Sequence, residues 1–157
     1  MKIAKCTPAI GAELLDVDMS SPFSRASIDY IHAALMDSLV IFIRDMDLTP
    51  ADHLNFARAF GQIDAPHPHY PHVDGFEQIV VLENDKDNPP DTNSWHTDLT
   101  FKSEQPFASI LVARRVPPTG GDTLWSSCYA AFERLPDGLK RDLKELNAVR
   151  DFGDFRN

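Results

Sequence analysis

The sequence contains 157 residues, of which 43% are apolar and 25% are charged, a composition typical of one globular domain rather than of a disordered or fibrous chain. Acidic residues outnumber basic ones by 24 to 15, which gives a net charge of −9. This excess argues against nonspecific binding to nucleic acid or to acidic lipid, because both require clustered positive charge. No apolar run approaches the roughly 18–20 residues of a membrane span, and the N-terminus lacks a signal peptide's apolar stretch. We therefore expect a cytoplasmic protein without a nucleic-acid or membrane partner.

The first half of the sequence carries the patterns of two helices between short strands. Residues 2–17 are mixed and end in a polar turn, which predicts short strands. Apolar residues recur at helical spacing over 27–38, and serines precede them as candidate caps. Residues 39–43 form a continuous β-branched and aromatic run, which predicts a fully buried strand. Thr49 and the proline after it predict the start of a helix that extends to about Phe60.

The second half is richer in strand patterns. Residues 78–83 predict a strand, and the stretch 84–94, rich in Asp, Asn and Pro, predicts a surface loop. A helix is predicted over 129–146. Further strands are predicted over residues 95–101, 107–115 and 122–126. Helices early and late around a core of strands favour an α+β or mostly β fold over a parallel βαβ fold.

The triplet His96-Thr97-Asp98 lies in the first of these later strands. Side chains on a strand alternate between its two faces, so His96 and Asp98 would point to the same side. An imidazole nitrogen and a carboxylate oxygen on one side can hold one ion, as two of the three ligands of a 2-His-1-carboxylate site for non-haem iron(II). Two polar residues on an exposed strand face are the alternative interpretation of the triplet taken alone.

Several separated motifs accompany the triplet in a fixed order. They are Arg44-Asp45, Phe60-Gly61, the histidine-rich residues 67–72, NPPD at 88–91, WHTD at 95–98 and PPTGGDTLW at 117–125. In this order they resemble the TauD/TfdA family of iron(II)- and 2-oxoglutarate-dependent dioxygenases, especially its taurine dioxygenase branch. The resemblance implies a double-stranded β-helix (a cupin-like jelly roll) with flanking helices. It also implies that residues 1–157 are the N-terminal part of one such domain, so that the jelly roll is incomplete in this chain.

The resemblance implies roles at the metal and the co-substrate. His96 and Asp98 match the first two iron(II) ligands, and Thr123 matches a threonine whose hydroxyl helps to hold 2-oxoglutarate. A strand threonine that packs by its methyl group is the alternative for Thr123. The third ligand of the family is a distal histidine, and no histidine follows His96 in this sequence. The implied reaction consumes 2-oxoglutarate and O2, releases succinate and CO2, and hydroxylates a small anionic substrate.

The resemblance also implies a substrate site. His67 and Tyr70 match positions that face the sulfonate of taurine, and an imidazole and a phenol can both donate to an anionic oxygen. A solvated aromatic loop is the alternative for this pair. Thr92 aligns with a substrate-contacting asparagine, and Asn93 is adjacent to it. We expect a sulfonate such as taurine. Because Thr92 stands where the family has that asparagine, another sulfonate, an alkyl sulfate or a small carboxylate stays open as the substrate.

The missing third ligand leaves several interpretations open. The sequence is part of a longer enzyme and inactive alone, or it is a truncated relative without catalysis that acts as a binding module. The third interpretation is that one of His67, His69 or His72 folds back as a substitute ligand. An incomplete jelly roll exposes strand edges and apolar faces, so we expect a homo-oligomer or a poorly soluble chain.

Overall fold

The computed structural model describes residues 1–19, 22–89 and 94–150. No helix within these ranges is both long and apolar enough to cross a bilayer. Cys6 and Cys128 are free and exposed thiols. The helices and strands, in chain order, are β1 (Lys2–Lys5), β2 (Ala12–Leu15), α1 (Arg25–Ser38), β3 (Ile41–Phe42), α2 (Pro50–Arg58), β4 (His72–Val73), β5 (Phe76–Val80), α3 (Cys128–Glu133) and α4 (Asp137–Lys144).

The strands form two small sheets. In the first sheet, β1 pairs antiparallel with β2, and β2 pairs parallel with β3, which gives the order β1-β2-β3. The parallel pair places Ala12 opposite Ile41, and α1 is part of the connection that makes it possible. The second sheet is the hairpin β4-β5, whose register is irregular at His72 and Val73.

The two long helices begin at side-chain caps. Ser24 Oγ accepts a hydrogen bond from the backbone N–H of Ser27 at 3.0 Å and caps α1. At α2, Thr49 Oγ1 accepts from the backbone N–H of Asp52 at 3.2 Å, and Asp52 Oδ2 accepts from the backbone N–H of Thr49 at 3.1 Å. This reciprocal capping box satisfies two backbone donors that the helix itself leaves unpaired.

The apolar core lies between α1, α2 and the first sheet. The inner face of α1 contributes residues spaced three apart, as helical geometry requires. The buried cluster consists of Leu14, Ile28, Ile31, Ala34 and Phe56. Ile110, from the second half of the chain, also packs against this cluster. The core therefore holds part of the segment that follows His96 and Asp98.

The structure confirms the first-half elements and adjusts their ends. The helix predicted over 27–38 is α1, and the helix predicted after Thr49 is α2. The strand predicted over 39–43 shortens to β3, and its two residues are half-buried rather than fully buried. The strand predicted over 78–83 begins earlier, as β5.

The helix predicted over 129–146 is divided into α3 and α4. The break falls at Leu135 and Pro136, where proline cannot supply the backbone N–H that a continuous helix would need. Pro136 instead takes the position that precedes the first residue of α4.

The strands predicted over 95–101, 107–115 and 122–126 are wrong for this chain. From Ser94 to Ser127, a stretch that is described throughout, no residue belongs to a helix or a strand. A strand exists only when its backbone N–H and C=O groups pair with a neighbour, and the described residues supply no such neighbour for these segments. His96 and Asp98 therefore do not lie on a strand, and strand alternation does not determine where their side chains point.

Candidate functional site

The side chains of His96 and Asp98 converge on each other. His96 Nε2 lies 3.2 Å from Asp98 Oδ1, and the two side chains are 54% and 58% exposed. A turn begins at Asp98 and continues through Leu99, whose φ of 51° is left-handed. The convergence thus arises in a turn-forming segment of irregular backbone, at a position that solvent can reach.

A hydrogen-bond partner outside the pair orients each group. His96 Nδ1 lies 2.8 Å from the carbonyl oxygen of Ser94. Because a carbonyl only accepts, Nδ1 carries the proton, and Nε2 of the neutral ring keeps its lone pair. Ser109 Oγ donates to Asp98 Oδ2 at 3.2 Å. The two partners leave Nε2 and Oδ1 facing each other, the arrangement that outer contacts produce at metal ligands.

The spacing of this pair fits a divalent metal ion. Two donor atoms at neighbouring corners of an octahedron with bonds of about 2.1 Å lie about 3.0 Å apart, close to the 3.2 Å between Nε2 and Oδ1. A lone pair and a carboxylate oxygen repel at this distance unless a proton or a cation lies between them. Imidazole and carboxylate are also two of the ligand types in the iron(II) facial triad.

A complete metal-binding group is not present in the part of the chain that the structure describes. Within residues 1–19, 22–89 and 94–150, no three His, Cys, Asp or Glu side chains lie close enough together to hold an ion. His67, His69 and His72 therefore do not join His96 and Asp98 there. The described residues supply two candidate ligands, and a third would come from elsewhere.

His67 and Tyr70 form a second pair, on the loop that leads to β4. Their ring centroids lie 4.6 Å apart. The backbone N–H groups of His69 and Tyr70 donate to His67 Nδ1 at 3.2 and 3.3 Å, so the proton of the neutral ring is on Nε2. Burial lowers the pKa of His67, and the positive charges of His69, His72 and Lys102 lower it further. The ring is therefore a neutral N–H donor at neutral pH.

Thr123 lies exposed beyond a glycine turn. Gly121 has a φ of +71°, and a Cβ there would lie 3.2 Å from Pro117 Cγ, so both backbone and space favour glycine. Just after Thr123, the Trp125 ring packs edge-on against Phe42 of β3, with centroids 5.3 Å apart. This contact attaches the segment that carries Thr123 to the first sheet.

The predicted site residues thus fall into two contacting pairs, with Thr123 linked to neither pair by any described contact. Thr92 and Asn93 lie outside the described residues. The roles of all these residues stay predictions. Sequence reasoning missed Ser109, whose only signal is a lone hydroxyl among the apolar residues of 107–111.

The comparisons with known proteins agree on one family. The sequence matches the taurine catabolism dioxygenase TauD, TfdA family over residues 2–157. It is 37% identical over 150 residues to an alkylsulfatase of Acinetobacter baylyi, covering 95% of this chain and 46% of that protein. It is 38% identical over 141 residues to an alpha-ketoglutarate-dependent sulfate ester dioxygenase of Pseudomonas putida, covering 89% of this chain and 46% of that protein. The chain spans about half the length of these curated relatives.

A solved structure gives the same result. The crystal structure of a taurine dioxygenase from Burkholderia xenovorans matches with a TM-score of 0.79 and 32% identity, over 92% of this chain and 51% of that chain. The predicted fold class is therefore confirmed: the architecture is that of TauD-type dioxygenases, a jelly roll with flanking helices, of which this chain covers part. The chain belongs to the taurine catabolism dioxygenase TauD, TfdA family.

Proposed function

We propose that the protein containing these residues is an iron(II)- and 2-oxoglutarate-dependent dioxygenase, with His96 and Asp98 as two of its iron ligands. The observation that carries this proposal is the 3.2 Å approach of His96 Nε2 to Asp98 Oδ1, at a solvent-accessible position. Family membership supports it, as does a relative described as an alpha-ketoglutarate-dependent sulfate ester dioxygenase. We further propose that residues 1–157 are the N-terminal part of a single domain of this kind.

The residues of the chain have separate tasks in this proposal. His96 and Asp98 would hold one side of the ion, and together with a third ligand from elsewhere they would leave its other positions for small molecules. The carbonyl of Ser94 accepts a hydrogen bond from Nδ1–H of His96, which would keep the Nε2 lone pair available to the metal. The hydroxyl of Thr123 donates to a carboxylate oxygen of 2-oxoglutarate. When bound, iron(II) with 2-oxoglutarate and O2 supplies the oxidising power to hydroxylate a C–H bond, with succinate and CO2 as co-products.

The proposed substrate carries a sulfur oxyanion, in a sulfate ester or in a sulfonate such as taurine. The relatives described as an alkylsulfatase and a sulfate ester dioxygenase support this class. His67 supports it as well, because its neutral Nε2–H and the phenol of Tyr70 are donors on adjacent rings. Thr92 and Asn93 are proposed to complete the substrate contacts.

The assay for this proposal uses the complete product of the reading frame that contains this sequence. We expect succinate formation from 2-oxoglutarate that depends on both O2 and iron(II), and that an alkyl sulfate or taurine stimulates. Asp98→Ala removes a ligand itself. Its activity should therefore fall by more than the about 10–100-fold that is lost when a hydrogen-bond partner of a metal ligand is removed. Asp74→Ala, which removes an exposed carboxylate in the β4-β5 turn, is the matched control and should keep full activity. Full turnover by Asp98→Ala would show that the ligand assignment is wrong.

The released anion identifies the substrate class. Hydroxylation of the carbon that bears the sulfur group gives an unstable product that breaks down to an aldehyde. A sulfate ester then releases inorganic sulfate, whereas a sulfonate releases sulfite. Measuring both anions beside succinate therefore separates the two substrates, and release of neither with either substrate would contradict the proposed class.

A binding module without catalysis is the second candidate function. The observation that favours it is that the described ranges contain no three-residue metal-ligating group. The downstream reading frame separates the two candidates. A frame that continues with a distal histidine, the third ligand that the family resemblance implies, favours the enzyme, whereas a stop after Asn157 together with absent succinate formation favours the module.

We also propose that the chain forms homo-oligomers. Support comes from large apolar side chains exposed along residues 107–125. Among them, Leu111, Val116 and Leu124 are 67%, 70% and 71% exposed. Exposed apolar side chains along one segment are a feature of association sites.

A further inference from the structure

Ser109 contacts the candidate metal ligand Asp98 from a distant point in the sequence. Its hydroxyl donates to Asp98 Oδ2 at 3.2 Å, across 11 residues of chain. The other carboxylate oxygen, Oδ1, faces His96 Nε2. Ser109 therefore binds the carboxylate oxygen of Asp98 that does not face His96.

The backbone on both sides of Ser109 is attached to the two long helices. Two residues before it, the Phe107 ring stacks on His32 of α1, with centroids 5.1 Å apart and planes at 12°. One residue after it, the carbonyl oxygen of Ile110 accepts a hydrogen bond from His53 Nε2 of α2 at 3.2 Å. Ile110 also packs against the buried cluster. The Ser109 hydroxyl is thus presented from a backbone that the helices and the core hold in place.

We propose that Ser109 is a positioning residue that fixes the carboxylate of Asp98 for metal binding, an inference that rests on the proposed function. A carboxylate held at Oδ2 offers Oδ1 to the ion in one defined orientation. Without the hydroxyl, the carboxylate rotates about its last side-chain bond, and part of the binding free energy is spent on ordering it. Ser109 thereby couples the position of a ligand on irregular backbone to the rigid α1-α2 core.

The experiment measures the dissociation constant of Mn(II), with electron paramagnetic resonance of the free ion as the readout, on the complete product of the reading frame. Mn(II) takes nitrogen and oxygen ligands like iron(II) and is not oxidised during the titration. We expect Ser109→Ala to weaken Mn(II) binding about tenfold, the lower end of the range for outer partners of metal ligands. Ser109→Thr keeps the hydroxyl and should bind within about twofold to threefold of the unmodified protein. Ser103→Ala, which removes an exposed hydroxyl earlier in the same segment, is the matched control and should leave the constant unchanged.

Asp98→Ala separates this inference from the proposed function. If Asp98→Ala weakens Mn(II) binding and Ser109→Ala does not, the positioning role is overturned while the ligand assignment stands. Equal losses in Ser109→Thr and Ser109→Ala would also overturn it, because the hydroxyl would then not be the cause. If Mn(II) does not bind, or if Asp98→Ala leaves its binding unchanged, the proposed function fails and the role of Ser109 fails with it.

Discussion

His53 connects α2 to the segment that carries Ser109. Burial lowers the pKa of its imidazole, the hydrogen bond to the carbonyl of Ile110 opposes this effect, and the charge of Arg114 adds to it. At neutral pH the ring is therefore neutral, and Nε2 keeps the proton that it donates to Ile110 at 3.2 Å. Nε2–H can donate to this carbonyl in either form of the ring, so pH acts through the cost of placing a charge at a half-buried position.

We expect acidification below pH about 6.5 to destabilise the fold through His53. Its folded-state pKa lies below the unfolded value, so the unfolded chain binds the proton first. The stabilisation is fully present above the unfolded pKa and is lost as the pH falls through the folded pKa. One such group changes the free energy of unfolding by at most about 1.4 kcal/mol per pH unit, and partial exposure keeps His53 below that limit.

Urea unfolding at about pH 7.5 and about pH 5.5 checks this expectation. His53→Gln retains an N–H donor for Ile110 but does not titrate, so its midpoint should fall less between the two pH values than that of the unmodified chain. Equal falls in the two proteins would contradict a role for His53. Every other group is the same in the two proteins, so its contribution cancels in the difference.

At the scale of an element, α2 depends on its first turn. Pro50 starts the helix without a backbone N–H that would need a partner. The capping box of Thr49 and Asp52 then satisfies two backbone donors. The helix places Leu54 and Phe56 in the interior and His53 against Ile110. The first turn therefore supports both the core and the attachment of the Ser109 segment.

Thr49→Ala should lower the free energy of unfolding by about 1 kcal/mol, within the range of about 0.5–2 kcal/mol for the loss of an N-cap side chain. The cost arises because the backbone N–H of Asp52 loses its acceptor. Thr49→Ser retains the hydroxyl and serves as the control, with stability close to that of the unmodified chain. Chemical denaturation measures both variants, and an unchanged Thr49→Ala would show that the capping box does not contribute.

At the scale of the whole molecule, packing is concentrated in the first half of the chain. The buried cluster draws on β2, α1 and α2, whereas α3 and α4 contain no buried residue. Between α2 and α3, residues 107–125 leave large apolar side chains exposed, including Leu111, Leu124 and Trp125. The first half of the chain is therefore packed, whereas the second half contains irregular backbone with exposed apolar side chains.

We expect this surface to drive self-association of the 157-residue chain. Sedimentation velocity should show dimers or larger species whose share grows with concentration. The double variant Leu111→Glu/Leu124→Glu should shift the chain towards monomer, because charge opposes the burial of these side chains. Leu146→Glu, at a position of similar exposure after α4, is the control and should leave the distribution unchanged. A stable monomer of the unmodified chain would contradict the expectation.

The sequence by itself determined the features that depend on near neighbours in the chain. Caps and apolar spacing act within one helix, so Thr49 was enough to predict α2 and the pattern over 27–38 was enough to predict α1. The motifs in their fixed order were enough to identify the family, and the family resemblance implied that His96 and Asp98 lie together as metal ligands. These features need no knowledge of what packs against them.

Only the tertiary structure decided what depends on distant partners. Strand-like residues over 95–126 form no strand, because a strand requires a neighbour and local pattern does not say whether one is present. His96 and Asp98 converge through a turn and two outer hydrogen bonds, not through strand alternation. Ser109 reaches Asp98 because the helices hold Phe107 and Ile110 on either side of it. Contacts between residues far apart in the sequence arise when the chain packs, so spacing along the sequence does not predict them.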